Sequence, residues 1–192
     1  MRLTGGQAKG ITLASPKGNT TRPATDQLRE AVFSSLGAEV PGKRCLDLFA
    51  GTGAYGLEAL SRLAREVIWV ENNRQCLKIL EKNRTATLRS IEGRGGLKPG
   101  LTQISSQSAF SYLANPSGEP YDLIFADPPY AWLEEHLVEF LAKVEPCLSQ
   151  PRGKLILESP GFLPIDEPRW SCKKSFGRAS GDRPYVRVLA LA

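Results

Sequence analysis

The sequence predicts an α/β fold in which a mostly parallel sheet ends in an antiparallel hairpin. Three observations predict it. Apolar runs of strand length alternate with helix-length segments from residue 44 to residue 158, a glycine turn joins the first such pair, and after Pro160 two strand-like runs follow one another with no helix between them. Alternating strands and helices build a parallel sheet covered on both faces. Two consecutive strands joined by a short turn pair antiparallel.

The elements follow in order. Arg2-Leu3 and Ile11-Thr12-Leu13, separated by glycines, predict a short N-terminal hairpin. Thr25 or Asp26 can cap a helix that places Leu28, Val32 and Leu36 on one face and ends at Gly37. A strand from Arg44 to Phe49 leads through the glycine turn to a helix from Ala54 to Leu63, then a strand from Val67 to Val70 and a helix from Arg74 to Asn83. The glycine-rich stretch 93–100 reads as a surface loop before a third strand from Thr102 to Ser105 and a helix from Ala109 to Leu113. A strand ending at Ala126 comes next. Leu137, Phe140, Leu141 and Val144 mark a helix by their spacing, and Gly153 to Glu158 is the fifth strand. Trp170 to Phe176 and Tyr185 to Leu191 are the closing pair, joined by a Gly-Asp turn. The reading is one domain over 1–192, with 1–40 an N-terminal extension and 41–192 the core.

Composition narrows the class. The chain of 192 residues is long enough for a proper core, has no run of eighteen apolar residues and opens with no apolar segment, so neither a membrane span nor a signal peptide is expected. Cys45, Cys76, Cys147 and Cys172 form no CxxC pair, which predicts free thiols in a reducing, cytoplasmic setting. The one histidine, His136, lies in a charged helical stretch and is expected to be solvated or packed; no metal site is read. The net charge of +5 is uneven: residues 1–44 carry +4, residues 169–192 carry +5 and the middle carries −4. Basic ends around an acidic body predict a phosphate-binding rim, for which Lys173 and Lys174 are candidates.

Asp127-Pro128-Pro129-Tyr130, directly after the apolar run 121–126, carries the chemistry. The exocyclic amine of a nucleobase is a poor nucleophile because its lone pair is delocalised into the ring. Acceptors held against its N–H bonds let it pyramidalise: the Asp127 carboxylate can take one hydrogen and the Pro128 carbonyl the other. Two prolines in succession fix the loop that holds them. Tyr130 offers a flat face on which a base can stack.

The stretch Cys45-Leu46-Asp47-Leu48-Phe49-Ala50-Gly51-Thr52-Gly53-Ala54-Tyr55-Gly56 is a strand, a glycine turn and a helix start, with Gly51, Gly53 and Gly56 matching GxGxxG. A pyrophosphate favours a turn free of negative charge. Here Asp47 sits late in the strand, where a carboxylate can position the ammonium end of an amino-acid-like ligand such as S-adenosylmethionine. The second strand delivers Glu71, where an acid can accept both ribose hydroxyls.

Three segments carry a family resemblance: 21–33 (Thr21-Arg22-Pro23-Ala24-Thr25 onward), Leu46-Asp47-Leu48-Phe49-Ala50-Gly51-Thr52-Gly53 with 56–62 after it, and Asp127-Pro128-Pro129-Tyr130. Together they resemble the RsmD family of bacterial 16S ribosomal RNA guanine-N2 methyltransferases. The resemblance implies a class I S-adenosylmethionine-dependent methyltransferase fold (Rossmann-like) and a 16S rRNA or small-subunit substrate. It also implies a cofactor set of Asp47, Phe49, Gly51, Gly53, Glu71, Ser108 and Ala109, and places Arg22 and Thr25 as candidates for contacting RNA. Arg29 could equally be a plain helix-surface charge. The chain departs from the family pattern twice. Ser108-Ala109 stands where Asp-Ala is usual, so Ser108 would be a weaker, uncharged acceptor for the adenine. Phe176-Gly177 stands where Tyr-Gly is usual, so no hydroxyl is available there.

Three other readings are open on the residues alone. A DNA adenine-N6 methylase shares the tetrapeptide but usually needs a target-recognition domain for which there is little room. An NAD-dependent oxidoreductase shares GxGxxG but leaves Asp47 and the tetrapeptide unexplained. A noncatalytic RNA-binding ribosome-assembly protein explains the basic ends and not the pocket. The expected protein is a cytoplasmic monomer that needs neither metal nor membrane.

Overall fold

A computed structural model describes residues 1–16, 23–97, 100–179 and 183–192, with the side chains of 23–25 also left out. Seven strands form one sheet: β1 (Arg44–Leu48), β2 (Glu66–Val70), β3 (Leu101–Ser105), β4 (Leu123–Ala126), β5 (Lys154–Pro160), β6 (Trp170–Gly177) and β7 (Pro184–Leu191), in the order β3-β2-β1-β4-β5-β7-β6. The first five are parallel, and β7 runs antiparallel to both β5 and β6. Strands β1 and β4 are buried along their whole length, as expected of central strands covered on both faces.

The helices are α1 (Pro23–Leu36), α2 (Ala54–Ser61), α3 (Arg74–Gly93), α4 (Ala109–Ala114) and α5 (Tyr130–Val144). Successive strand residues point to opposite faces, and the core divides accordingly. Cys45, Val67, Trp69 and Phe125 face Val32, Phe33, Leu57, Leu60 and Leu80 from α1–α3. Leu46, Leu48, Ile68 and Ile124 face Tyr112, Leu133, Phe140 and Val144 from α4 and α5.

Some boundaries differ from the sequence expectation, each for a physical reason. The expected N-terminal hairpin is present but short: Arg2 bridges Thr12, the Leu3 amide donates to the Ile11 carbonyl and the Leu13 amide to the Met1 carbonyl, both at 3.0 Å, while the loop between its arms spends its hydrogen bonds on α2. The backbone of Gln7 donates to the Ser61 carbonyl at 2.7 Å, and the Ser61 hydroxyl donates to the Gly5 carbonyl at 2.6 Å. A side chain at Gly6 would lie 2.0 Å from the Ser61 carbonyl oxygen. Helix α1 starts at Pro23, ahead of Thr25 and Asp26, and proline is well suited to a first helical turn. Helix α3 runs to Gly93, well past Asn83. Its polar residues Asn83 and Thr87 are buried, which hides the helix from any apolar count. Helix α5 begins at Tyr130 itself, with Pro129 as its N-cap. The expected Gly-Asp turn of the closing hairpin, Gly181-Asp182, lies outside the described residues.

Arg29 is not a surface charge: it is 3% exposed and lies beside the fully buried Glu58, 3.7 Å from guanidinium Nε to carboxylate. Glu58 also accepts from the Thr4 amide at 2.9 Å, the Thr4 hydroxyl at 2.7 Å and Arg62 Nε at 3.0 Å. This one carboxylate therefore ties α1, α2 and the N-terminal segment together. Glu58→Ala should cost about 3–5 kcal/mol, because it removes a buried acceptor shared by Thr4 and Arg62 and leaves the buried Arg29 with only the part-exposed Asp26, 3.1 Å away, as its counter-charge. Urea denaturation measures that cost, and hydrogen exchange at the Thr4 amide should accelerate in parallel.

Candidate active site

The strands β1 to β5 converge at their carboxyl ends on one cavity of about 750 Å³. Ligands of open parallel sheets bind at this edge, and the volume is in the usual range of small-molecule sites, roughly 300–1,000 Å³. Phe49 follows β1, Glu71-Asn72-Asn73 follow β2, Gln107 to Phe110 follow β3, Asp127 to Tyr130 follow β4, and Glu158 comes from β5.

The glycine turn is tight for two separate reasons. Gly53 has φ +85°, and a side chain there would meet Leu80 Cδ1 at 2.2 Å; one at Gly56 would meet the Trp69 indole nitrogen at 2.2 Å. Gly56 thus lets α2 pack on β2, which is a packing role and not a ligand contact. Phe49 has φ +56°, a conformation uncommon for a residue with a side chain. It turns the ring onto Trp132, with centroids 4.8 Å apart, where both line the cavity.

Two expected cofactor residues accept hydrogen bonds from the backbone of the turn region. Asp47 is buried and does not line the cavity. Its Oδ2 accepts from the Gly56 amide at 2.8 Å, in the first turn of α2. Gly53, the N-cap, has no side chain with which to cap the helix, so the strand supplies the acceptor instead. Burial pushes the Asp47 carboxyl well above the usual range, the hydrogen bond from Gly56 opposes this, and the nearby Asp127 and Glu71 charges add to the rise. Through this bond Asp47 braces the turn from beneath.

Glu71 does line the cavity, but it accepts from the Gly51 amide at 2.7 Å, the Asn72 amide at 2.9 Å and the Asn73 amide at 2.7 Å. A carboxylate offers about four acceptor positions. About one is left over in this arrangement, facing the cavity.

Ser108 is the N-cap of α4, its hydroxyl accepting from the Ser111 amide at 3.1 Å. Ser108 and Ala109 line the cavity beside Gln107, whose amide is held by Ser105 at 2.6 Å and Ser111 at 3.1 Å. Gln107 and the aromatic walls Phe110 and Trp132 were not singled out in the sequence. His136 stacks on Trp132 with ring planes 8° apart, a packed position. Among the described residues no cluster of His, Cys, Asp and Glu could hold a metal.

All four tetrapeptide residues line the cavity. The Pro129 carbonyl takes the Leu133 amide at 3.0 Å and so belongs to α5, and Pro128 is buried. Asp127 is exposed at the cavity wall. Withdrawal from bulk water there raises its carboxyl to about 6.

Glu158, which the sequence reading missed, stands near the end of β5 and also lines the cavity. Its Oε2 accepts from the Tyr55 hydroxyl at 3.3 Å. Burial first and the Asp127 charge second push it up to about 8, while Tyr55 and Arg29 pull it down. An acid closing the apolar run Leu155-Ile156-Leu157 was the available signal, the same one that marked Asp127. Three acids therefore line the cavity, and among the described residues no Lys, Arg or His does.

The RNA candidates are placed unevenly. Arg22 and the side chain of Thr25 lie outside the described residues. Lys173 and Lys174 are exposed on the edge strand β6, with Lys174 Nζ donating to the Ser35 hydroxyl at 2.9 Å. Lys174 is level with Val188 and Ile156, two positions back from Glu158, or about 7 Å from that edge.

The carboxyl pair makes stability depend on pH. A glutamate whose folded pKa lies above its unfolded one binds more protons when folded, so stability falls as pH rises between the two. For Glu158 that window runs from about 4.3, the ordinary glutamate value, up to about 8. Glu158→Gln should therefore gain melting temperature on the wild type as pH is raised from about 5 to about 9. A difference that stays constant across this range would refute the buried charge.

A family model described as "Conserved hypothetical protein 95" matches residues 1–175. The "Ribosomal RNA small subunit methyltransferase D" of Escherichia coli (strain K12) is 38% identical over 130 residues, which are 68% of this chain and 60% of that protein. The protein of the same name from Haemophilus influenzae is 29% identical over 177 residues, 91% of this chain and 86% of its own length. Among solved structures, the Escherichia coli protein yhhF superposes with a TM-score of 0.79 at 31% identity, covering 100% of this chain and 97% of that one. The chain thus spans only 60% of the length of the first of these relatives. With the family pattern matched over residues 1–175 and the class I methyltransferase sheet order in place, the chain belongs to the RsmD family.

Proposed function

We propose that this chain transfers a methyl group from S-adenosylmethionine to the exocyclic N2 amine of a guanine in 16S rRNA of the small ribosomal subunit. The observation that carries the cofactor reading is the charge of the cavity. Glu71, Asp127 and Glu158 line it without a described basic residue, which favours a sulfonium and an ammonium and repels the pyrophosphate of a dinucleotide. The RNA reading is supported by family membership and by the names of the relatives. A cytoplasmic monomer with one catalytic domain over 1–192 completes the proposal.

When bound, S-adenosylmethionine supplies an electrophilic methyl: the new N–C bond forms as the C–S bond breaks, and its electron pair goes to sulfur. The chain's own residues hold the partners. Glu71 has one acceptor position left for a ribose hydroxyl, Ser108 and Ala109 lie beside the adenine side, and Phe49, Phe110 and Trp132 supply flat apolar walls. Asp127 accepts an N–H of the target amine and is ionised at neutral pH, so it stabilises the positive charge that develops on nitrogen. At about 6 it holds the departing proton more firmly than an ordinary aspartate, and returns it to solvent. Tyr130, at the first turn of α5, faces the base. The target must leave its helix to enter, so it is looped or flipped out.

Asp127→Ala should lower kcat by about 10²–10³-fold and leave S-adenosylmethionine affinity, read by calorimetric titration, within a few fold. Tyr130→Phe should keep most activity, whereas Tyr130→Ala should lose binding worth roughly 1–3 kcal/mol. With unmodified small subunits as substrate, nucleoside analysis should return N2-methylguanosine. N6-methyladenine would overturn the guanine assignment, and a wild type that takes up NAD instead of S-adenosylmethionine would overturn the methyltransferase.

A further inference from the structure

A second groove, of about 600 Å³, lies between α1 and the β6–β7 hairpin. It is lined by Gln27, Leu28 and Ala31 of α1 and by Phe176 and Pro184 of the hairpin, with Arg178 and Arg183 beside them. Both arginines are exposed, and neither pairs with an acid among the described residues. The one acid of residues 169–192, Asp182, lies outside the described residues, and that stretch carries +5 with it included.

The register places this groove. Gly177 is level with Tyr185 and Ser159, and Pro184 with Pro160, so the hairpin tip stands at the carboxyl edge of the sheet, the edge that holds Asp127 and Glu158. From β4 to β6 is three strand spacings, or about 14 Å. A single strand of nucleic acid covers that distance in a few nucleotides. Lys173 and Lys174 sit further back along the strand, with one ammonium engaged by Ser35.

We propose that this groove holds a nucleotide of single-stranded RNA beside the methylated base, with phosphate on Arg178 and Arg183 and the base or sugar on Phe176. The proposal rests on RNA being the substrate. Exposed guanidinium groups suit phosphates, and an aromatic side chain in the same groove suits a base, the combination that single-strand binders use. An acidic protein segment would use the arginines and leave the aromatic side chain without a purpose. The groove's volume is also in the range of small-ligand sites, roughly 300–1,000 Å³.

Fluorescence polarisation of a labelled, single-stranded oligoribonucleotide against the full chain, over a salt series, tests this. Arg178→Ala and Arg183→Ala should each weaken binding several fold and lower the log–log salt slope by about 0.7, the value for one phosphate contact on a single strand. Phe176→Leu, which keeps an apolar side chain in place, should weaken binding at least about fivefold with the slope unchanged. Arg152→Ala, just before β5 at the opposite edge of the sheet, should change neither. Unchanged slopes in both groove variants, with wild-type RNA binding intact, would overturn the groove and leave the methyltransferase reading standing. Displacement of the RNA by polyglutamate at matched charge would overturn the nucleotide in favour of an acidic protein partner. A wild type that titrates with S-adenosylmethionine and binds no RNA at low salt would overturn the RNA substrate itself.

Discussion

Two carboxylates fix the turn on which the cavity is built. Asp47 holds Gly56 at 2.8 Å and Glu71 holds Gly51 at 2.7 Å, one from beneath the turn and one from the neighbouring strand. The turn itself has no side chain able to do this. Gly53 must be glycine to pass Leu80, so the helix it caps starts without an acceptor of its own. Asp47 of β1 supplies that acceptor, and Glu71 after β2 can reach Gly51 only if β1 and β2 are in fixed register, which five parallel pairs from Arg44–Glu66 to Leu48–Val70 ensure. The position of the cavity floor is thus a consequence of sheet pairing, transmitted through two side chains.

The same turn is tied to the N-terminal segment. Asn83 donates to the Thr52 carbonyl and to the Ala14 carbonyl, both at 3.0 Å, and accepts from the Ala14 amide at 2.8 Å. Glu58 holds Thr4 at the other end of that segment. An extension that reads as a separate hairpin in the sequence is in fact stapled along α2 and α3, by buried polar groups that are costly to leave unpaired. Its Leu3, Ala8 and Leu13 enter the same core as α1–α3.

These polar staples also explain what was legible in the sequence. Strand and helix order, the parallel sheet and its closing hairpin follow from apolar periodicity, because most core residues are apolar and obey it. The parts that rest on buried polar residues do not show. Arg29 could be read as a plain surface charge, Asn83 looked like a helix end, and Glu158 went unnoticed at the end of an apolar strand. At the site, Asp127 and Glu71 could be placed from their positions after strands. Their partners could not, since Asp47 and Glu71 spend their hydrogen bonds on backbone amides brought close only by the folded turn. Type and place of a carboxylate are written in the sequence; what it accepts from depends on the tertiary structure.

The grouping of acids has a physical consequence for ligand entry. Asp127 and Glu158 face one cavity, and withdrawal from bulk water raises both, with the Asp127 charge further raising Glu158. Like charges in one site are costly to ionise together, so near neutral pH the pair carries about one charge, and the protons come off in two steps that belong to the pair. A cation entering the cavity reverses the balance. It favours the ionised forms, lowers both values and releases protons to solvent, so the energy held in the crowded acids becomes affinity for positive charge. An anionic ligand would meet the opposite response and would have to be bound with protons taken up. The same two carboxyls that strain the folded chain at alkaline pH thereby select for a cationic cofactor, and they do so without any basic residue from the described walls of the site.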